Sequence, residues 1–352
     1  MTVMTSSEKL RQYFLANYST SCPPTPYIET FEFLRTVLNF FTPFVIIFFI
    51  YGVIVILKAT PKEMTTAKWV LLNTHVASNL FGALSCVLER PLIHFPSSAR
   101  YDSGFLIFLG VPFEVVVLMG QISFSVHAIS LIMLFENRFS QICLNKKKVW
   151  SLKAKVAVYG AHYAFFSNIF ILNLGDVDDE DAEKLKILRT ILPCPEVTFF
   201  KEETHVLTYE FVPPNFLAGF QTVYLYFLVF LFAFLSGYCL MRQTTDSVAS
   251  ETTKKLQRKF LLALIIQVLV PFLVSFLPNI LFRTLTGIGY SFHGTGSLLT
   301  IFIAFNGILS SVLLIVLHKP YRQFTLKCGR VPKAKVSVDN ARKISVVPGS
   351  VD

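Results

Sequence analysis

Apolar residues in this chain gather into seven long runs, with charged residues confined largely to the stretches between them. The runs are Thr36–Leu57, Trp69–Leu88, Phe105–Phe135, Val156–Leu174, Phe216–Met241, Phe260–Leu281 and Leu298–Leu317. Each is near the roughly 20 residues that carry a helix across about 30 Å of hydrocarbon. Within lipid only a helix or a closed barrel satisfies its own backbone polar groups. The ten-residue alternation of barrel strands is absent, which leaves helices. The third run exceeds what a bilayer needs and is expected to tilt or project beyond it. The pattern therefore predicts an all-α membrane protein built as a seven-transmembrane helix bundle. It divides into an N-terminal segment at 1–35, the helical domain at 36–317, and a tail at 318–352 that begins with a short amphipathic helix.

Composition agrees with that reading. The 352 residues are 53% hydrophobic and 15% charged, with a mean hydropathy of +0.57. Soluble domains carry about 25% charge, and so apolar a chain could not cover itself with polar side chains. The net charge of +10 raises the question of nucleic acid. The basic residues, however, sit at helix ends and in the tail, where membrane topology explains them.

Their distribution also sets the orientation. Lys58, Lys62 and Lys68 lie between runs one and two, and Arg138, Lys146, Lys147, Lys148, Lys153 and Lys155 between three and four. Arg242, Lys254, Lys255, Arg258 and Lys259 follow run five, and the tail is basic throughout. This face holds 22 of the 32 basic residues, so it is expected to be cytoplasmic, with the N-terminus outside. Asn17-Tyr18-Ser19 is the one glycosylation sequon and falls on the outer side. Met1 to Phe14 lacks the apolar core of a signal peptide, so the first helix is expected to direct insertion. Cys22 and Cys194 are the two cysteines of the outer segments, either bridged to each other or left as thiols. Cys86 and Cys239 lie within spans and read as packing residues.

No metalloprotease, nucleotide-binding, hydrolase or paired-cysteine motif occurs, and the spans hold no recurring acid–histidine cluster. Binding and switching are favoured over catalysis, and no cofactor or metal is expected. Glu114, at the outer start of the third run, reads either as a ligand-pocket acid or as a carboxylate that reaches water or a loop arginine. Asn73, His75, Ser78 and Asn79 on the second run suit helix-to-helix hydrogen bonds. Pro271 and Pro278 on the sixth each remove a backbone donor and form a hinge. Glu136 and Arg138 close the third run beside a basic loop, placed for a breakable ion pair. After Pro320 a short interfacial helix is expected, with Tyr321 and Phe324 at the lipid boundary.

Several segments in order carry a resemblance. They are Thr60-Pro61-Lys62-Glu63-Met64 with Lys68-Trp69-Val70-Leu71-Leu72-Asn73, Gly110-Val111-Pro112, Phe135-Glu136-Asn137-Arg138, and Leu192-Pro193-Cys194-Pro195. Pro271 with Pro278 and the terminal Lys319-Pro320-Tyr321-Arg322 complete the set. From about Tyr27 to Arg322 the chain resembles the nematode serpentine chemoreceptors of class H (Srh), with class I (Sri) a near relation. The resemblance implies a G-protein-coupled chemosensory receptor in sensory neurons, in the plasma membrane and their cilia. It departs from rhodopsin-like receptors, because an Asn separates Glu136 from Arg138 and no Cys stands at the outer start of the third helix.

On that reading a small molecule enters from outside, with Glu114, Tyr224, Tyr226 and Phe272 as pocket residues. Helix six then shifts, and Glu136, Arg138, Lys254, Lys255, Arg258, Tyr321 and Arg322 receive a heterotrimeric G protein. The expected partners are the ligand, the G protein and the bilayer, without nucleic acid. A seven-helix channel or transporter is the alternative, distinguished by the opposite N-terminal placement or by inverted repeats.

Overall fold

The computed structural model describes residues 8–61, 65–143, 151–171, 174–175, 177–209, 214–246, 251–288 and 294–327. Its frame is seven long helices. Crossing one is Phe31–Ala59, capped by the Thr30 side chain, which accepts from the Phe33 amide. Crossing two is Thr65–Ala83, prolonged by a π-helical turn at Leu84–Leu88. Crossing three is Phe113–Cys143, crossing four Leu152–Ile171 and crossing five Pro214–Asp246. Crossing six runs Glu251–Pro271, passes through a π-helical turn at Phe272–Phe276, and continues as Leu277–Gly287. Crossing seven is Thr295–Leu317, followed by the amphipathic helix Lys319–Leu326. Six of the seven are long and apolar enough over their described residues to cross a bilayer. Crossing four contributes a further 20 residues.

Crossing three is the central post, packed on two, four and five, while seven packs on one, two and six. Their apolar faces form one inner core that includes Leu134, Phe135, Leu264 and Leu314. The polar residues of crossing two tie it to its neighbours. Asn79 Nδ2 donates to Ser311 Oγ at 3.0 Å, His75 Nε2 lies 3.1 Å from the Phe49 carbonyl, and Thr74 Oγ1 donates to the Ser130 carbonyl at 3.1 Å. Such bonds hold helices together where lipid removes the hydrophobic drive between them.

The third run breaks where the sequence pattern had it continuous. Phe105–Phe108 forms one short helix, Gly110 takes a left-handed φ of 75°, and Pro112 precedes the crossing itself. Glycine accepts that φ without a Cβ clash, and proline suits an entry but not a helix interior. The end of the tail region also differs. Tyr321 and Phe324 turn inward to 2% and 3% exposure, with the Tyr321 hydroxyl 2.8 Å from Thr60 Oγ1, so they anchor the short helix to crossing one instead of facing lipid. Cys239 is disulfide-bonded, not a free packing thiol.

The outer end is closed by a folded lid. Strands β1 (Pro91–Ile93), β2 (Ala99–Asp102) and β4 (Thr204–Val206) form an antiparallel sheet in which Arg100 pairs with His205. A second pair joins β3 (Leu174–Gly175) to β5 (Thr208–Tyr209). The N-terminal helix Glu8–Tyr13 and the helix Glu180–Thr190 pack over the sheet through Leu10, Leu188, Phe199 and Phe200. Cys22 and Cys194 are bridged, across a sequence separation of 172. Tyr18 Oη adds a 2.8 Å bond to the Pro195 carbonyl.

Candidate functional site

Beneath the lid, crossings two, three, five, six and seven line a cavity of about 230 Å³. Its walls are mainly apolar, with Val117, Ile280, Leu299 and Ile303 around the sides and Phe81, Phe124 and Phe276 among the aromatic residues. Those three rings lie against one another, with Phe276 centred 5.9 Å from Phe124 and 6.3 Å from Phe81. His127 lies beside both Phe81 and Phe276, its ring centred 5.7 and 6.0 Å from theirs, and its Nδ1 has no hydrogen-bond partner among the described residues.

The polar side of the cavity comes from the hairpin. Arg90 adopts a φ of 51° as the chain leaves crossing two and turns into β1. That turn leaves Glu89, one residue past the span, on the cavity wall with Arg100. Arg100 Nη2 donates to Glu89 Oε2 at 3.1 Å and its Nε to Asp102 Oδ1 at 2.8 Å. All three are buried. Burial pushes the Glu89 carboxyl up to about 7, with Arg100 drawing it down and Asp102 pushing it further up. Burial likewise raises Asp102, against the pull of Arg100. Between crossings three and five Gln121 Nε2 donates to Gln221 Oε1, and Gln221 Nε2 to Ser125 Oγ at 2.9 Å.

The inner end of the bundle holds a different arrangement. Arg138 stacks on Phe260 of crossing six, its guanidinium carbon 4.0 Å from the ring centroid, and Nη1 donates to Gln141 Oε1 at 2.7 Å. Its Nε and Nη2 have no partner among the described residues. His318 packs at a tilt against the same Phe260 ring, centred 5.1 Å away, and meets Gln267 of crossing six at 3.2 Å. Glu136 points elsewhere. It pairs with Lys155 of crossing four at 2.8 Å and accepts from Tyr159 at 3.3 Å and from Ser140. The expected Glu136–Arg138 ion pair is therefore not formed. Residues two apart on a helix do not face each other, and each finds a separate partner.

The family follows from comparison with known proteins. The model for "Serpentine type 7TM GPCR chemoreceptor Srh" matches residues 29–330. The chain belongs to the Srh family. A relative, "Serpentine receptor class H-72" of Caenorhabditis elegans, is 27% identical over 329 residues, which is 91% of this chain and 92% of the relative.

In this Srh receptor the residues singled out from sequence fall into separate places. Glu114 is exposed in the first turn of crossing three, where the helix dipole favours an acid, and it does not line the cavity. Tyr224 meets His162 at 3.2 Å and faces crossing four. Tyr226 and Phe272 pack together at 4.8 Å, with Tyr226 4.9 Å from Phe276, so they support the cavity's aromatic wall without lining it. Pro271 closes the first part of crossing six and Pro278 follows the π-helical turn. Lys255 and Arg258 are exposed near its inner end, Arg322 donates to the Val316 carbonyl at 3.1 Å, and the Lys254 side chain lies outside the described residues. Asn17 is exposed on the outer face.

Sequence reasoning missed Glu89, Arg100 and Asp102, and it missed Phe260 as the partner of Arg138. A glutamate directly after an apolar run, with an arginine and an aspartate in the next loop, was the available signal for the first three. Phe260 carried none, being one phenylalanine among 36.

Proposed function

We propose that this Srh protein is a chemosensory receptor. A small extracellular molecule occupies the cavity under the lid and releases the inner face to activate a heterotrimeric G protein. The observation that carries this reading is the course of crossing six. That single helix brings Phe276 to the cavity and Phe260 to Arg138, sixteen residues or about 24 Å apart along the axis. Between them lie Pro271 and the π-helical turn, whose Leu277 amide bonds to the Phe272 carbonyl. Such a turn is a frequent functional irregularity, and a proline beside it leaves a carbonyl unpaired.

In the resting arrangement Phe260 covers Arg138 and His318 clasps Gln267. A ligand that displaces Phe276 favours a state in which the inner half of crossing six swings outward. Arg138 is then uncovered beside Lys255, Arg258 and Arg322, and this basic mouth receives the G-protein α subunit. Glu136 and Lys155 hold crossings three and four as the fixed half. Asn17 would carry glycan on the outer face, and the receptor would reside in the plasma membrane of sensory cilia.

The test is a ligand screen in cells with a calcium readout, followed by Arg138→Ala on any responding ligand. Surface density should persist while the response disappears. An undiminished response, or a ligand-evoked current in cells that lack G proteins, would reject the receptor reading and favour the channel.

A further inference from the structure

The lid and cavity leave one charge unbalanced. Glu89 and Asp102 are two carboxylates, and among the described residues Arg100 is the cation bonded to both. With both acids ionised the buried cluster carries one negative charge in excess. Glu89 is 3% exposed, and its Oε1 has no hydrogen-bond partner among the described residues, although Glu89 is part of the cavity lining. A buried carboxylate oxygen left without a donor is costly. Asp102 Oδ2 is also without a hydrogen-bond partner among the described residues, but Asp102 is not among the cavity-lining residues.

Crossing three is shaped around this carboxylate. A Cβ on Gly120 would lie 2.8 Å from both Glu89 oxygens, so any larger residue there would make the carboxylate shift. The same Gly120 lines the cavity. The next residue, Gln121, bonds to Gln221, and the remaining wall is largely aliphatic and aromatic. Among the described residues no lysine lines the cavity, and the one cation there is an arginine already shared between two acids.

We propose that the ligand is a small amine, whose ammonium group draws the Glu89 carboxylate toward the cavity and bonds to it while its hydrocarbon part fills the space beside Phe81, Phe124 and Phe276. This rests on the reading of the cavity as the ligand site. The ammonium supplies the donor that Glu89 lacks and cancels the excess charge of the cluster. Ammonium over aromatic faces gains further attraction. The cavity volume of about 230 Å³ sets the size. A space of that size suits a ring or short chain bearing one amino group.

The test uses matched probes on the full-length receptor held in lipid nanodiscs. Cyclohexylamine, cyclohexanol and cyclohexanone share one ring, and 2-phenylethylamine with 2-phenylethanol forms a larger pair. Binding is read by thermal stabilisation, with no G protein present. At least one amine is expected to bind on the order of tenfold or more tighter than its alcohol or ketone. Glu89→Gln should remove that preference, with a loss of on the order of 10- to 100-fold for the amine and little change for the alcohol.

Gly120→Ala provides a second variant, since its methyl forces the carboxylate aside while leaving the charge in place. It should weaken the amine selectively. Amines that fail to stabilise the wild type overturn the proposal. So does a preference for ketone or alcohol, or an amine preference that survives both variants. The receptor reading stands or falls separately, because an amine that binds through Glu89 but never activates a G protein would reject coupling and leave this assignment intact.

Discussion

Replacing Phe260 by leucine tests the inner latch most directly. Leucine keeps an apolar side chain beside Arg138 but removes the ring face that sits 4.0 Å from the guanidinium carbon. A cation–π contact contributes about 0.5 kcal/mol when exposed and about 2 kcal/mol when desolvated. Arg138 lies in a poorly hydrated position, with two of its nitrogens unpartnered among the described residues, which places this contact toward the upper value. At 1.4 kcal/mol per tenfold, the closed-to-open ratio should fall by about two- to thirtyfold. A receptor with about 1% of its molecules open would then reach between about 2% and about 20%. The assay is basal nucleotide exchange on a purified G protein, with receptor matched for surface density and no ligand. Phe260→Trp keeps an aromatic face and should stay as quiet as the wild type. A basal rate unchanged by Phe260→Leu, or raised equally by Phe260→Trp, would refute the latch.

Three further outcomes are expected. Cys22→Ser frees the lid from a closure of 172 residues and should cost about 2–4 kcal/mol of lid stability, seen as a lower melting temperature or faster proteolysis of the N-terminal segment. Asn79→Ala removes the bonds to Ser311 and should cost about 0.6–2 kcal/mol, read as reduced thermal stability and surface expression. Binding of cyclohexylamine should strengthen as pH rises from 6 to 8, by about tenfold, because the Glu89 carboxyl is raised to about 7 and only its ionised form holds an ammonium that stays charged throughout. The charged groups facing it are Arg100 and Asp102, with His205 opposite Arg100 on β4. The slope should vanish in Glu89→Gln and persist in His205→Gln.

The helical frame was legible because apolar length is a local property that each span carries alone. The lid was not. Its strands are two to four residues long, too short to show alternation, and Arg100 meets His205 from the far side of two crossings. Gly110 and Pro112 did mark the true start of crossing three, but the continuous apolar run around them hid the break. Cys22 and Cys194 were readable as a pair because no other cysteine shares their side, and the bridge is present. For the inner end, the chain placed Glu136 and Arg138 close in sequence, yet helical geometry sent one toward Lys155 and the other toward Phe260. For the outer site, attention to acids inside the spans favoured Glu114, while the acid that lines the cavity stands just beyond a span.

An arginine held by a phenylalanine ring has no proton to trade near neutrality. A guanidinium clasped by a carboxylate would loosen whenever acid neutralised its partner, and the silence of the unoccupied molecule would then drift with the acidity of the cytosol. In the proposed latch crossing six is held by a hydrocarbon face over Arg138 and by His318 on Gln267, and burial lowers that imidazole to about 4, so it stays uncharged near neutrality. Metabolic acidification that disturbs ion-paired locks should leave this one shut.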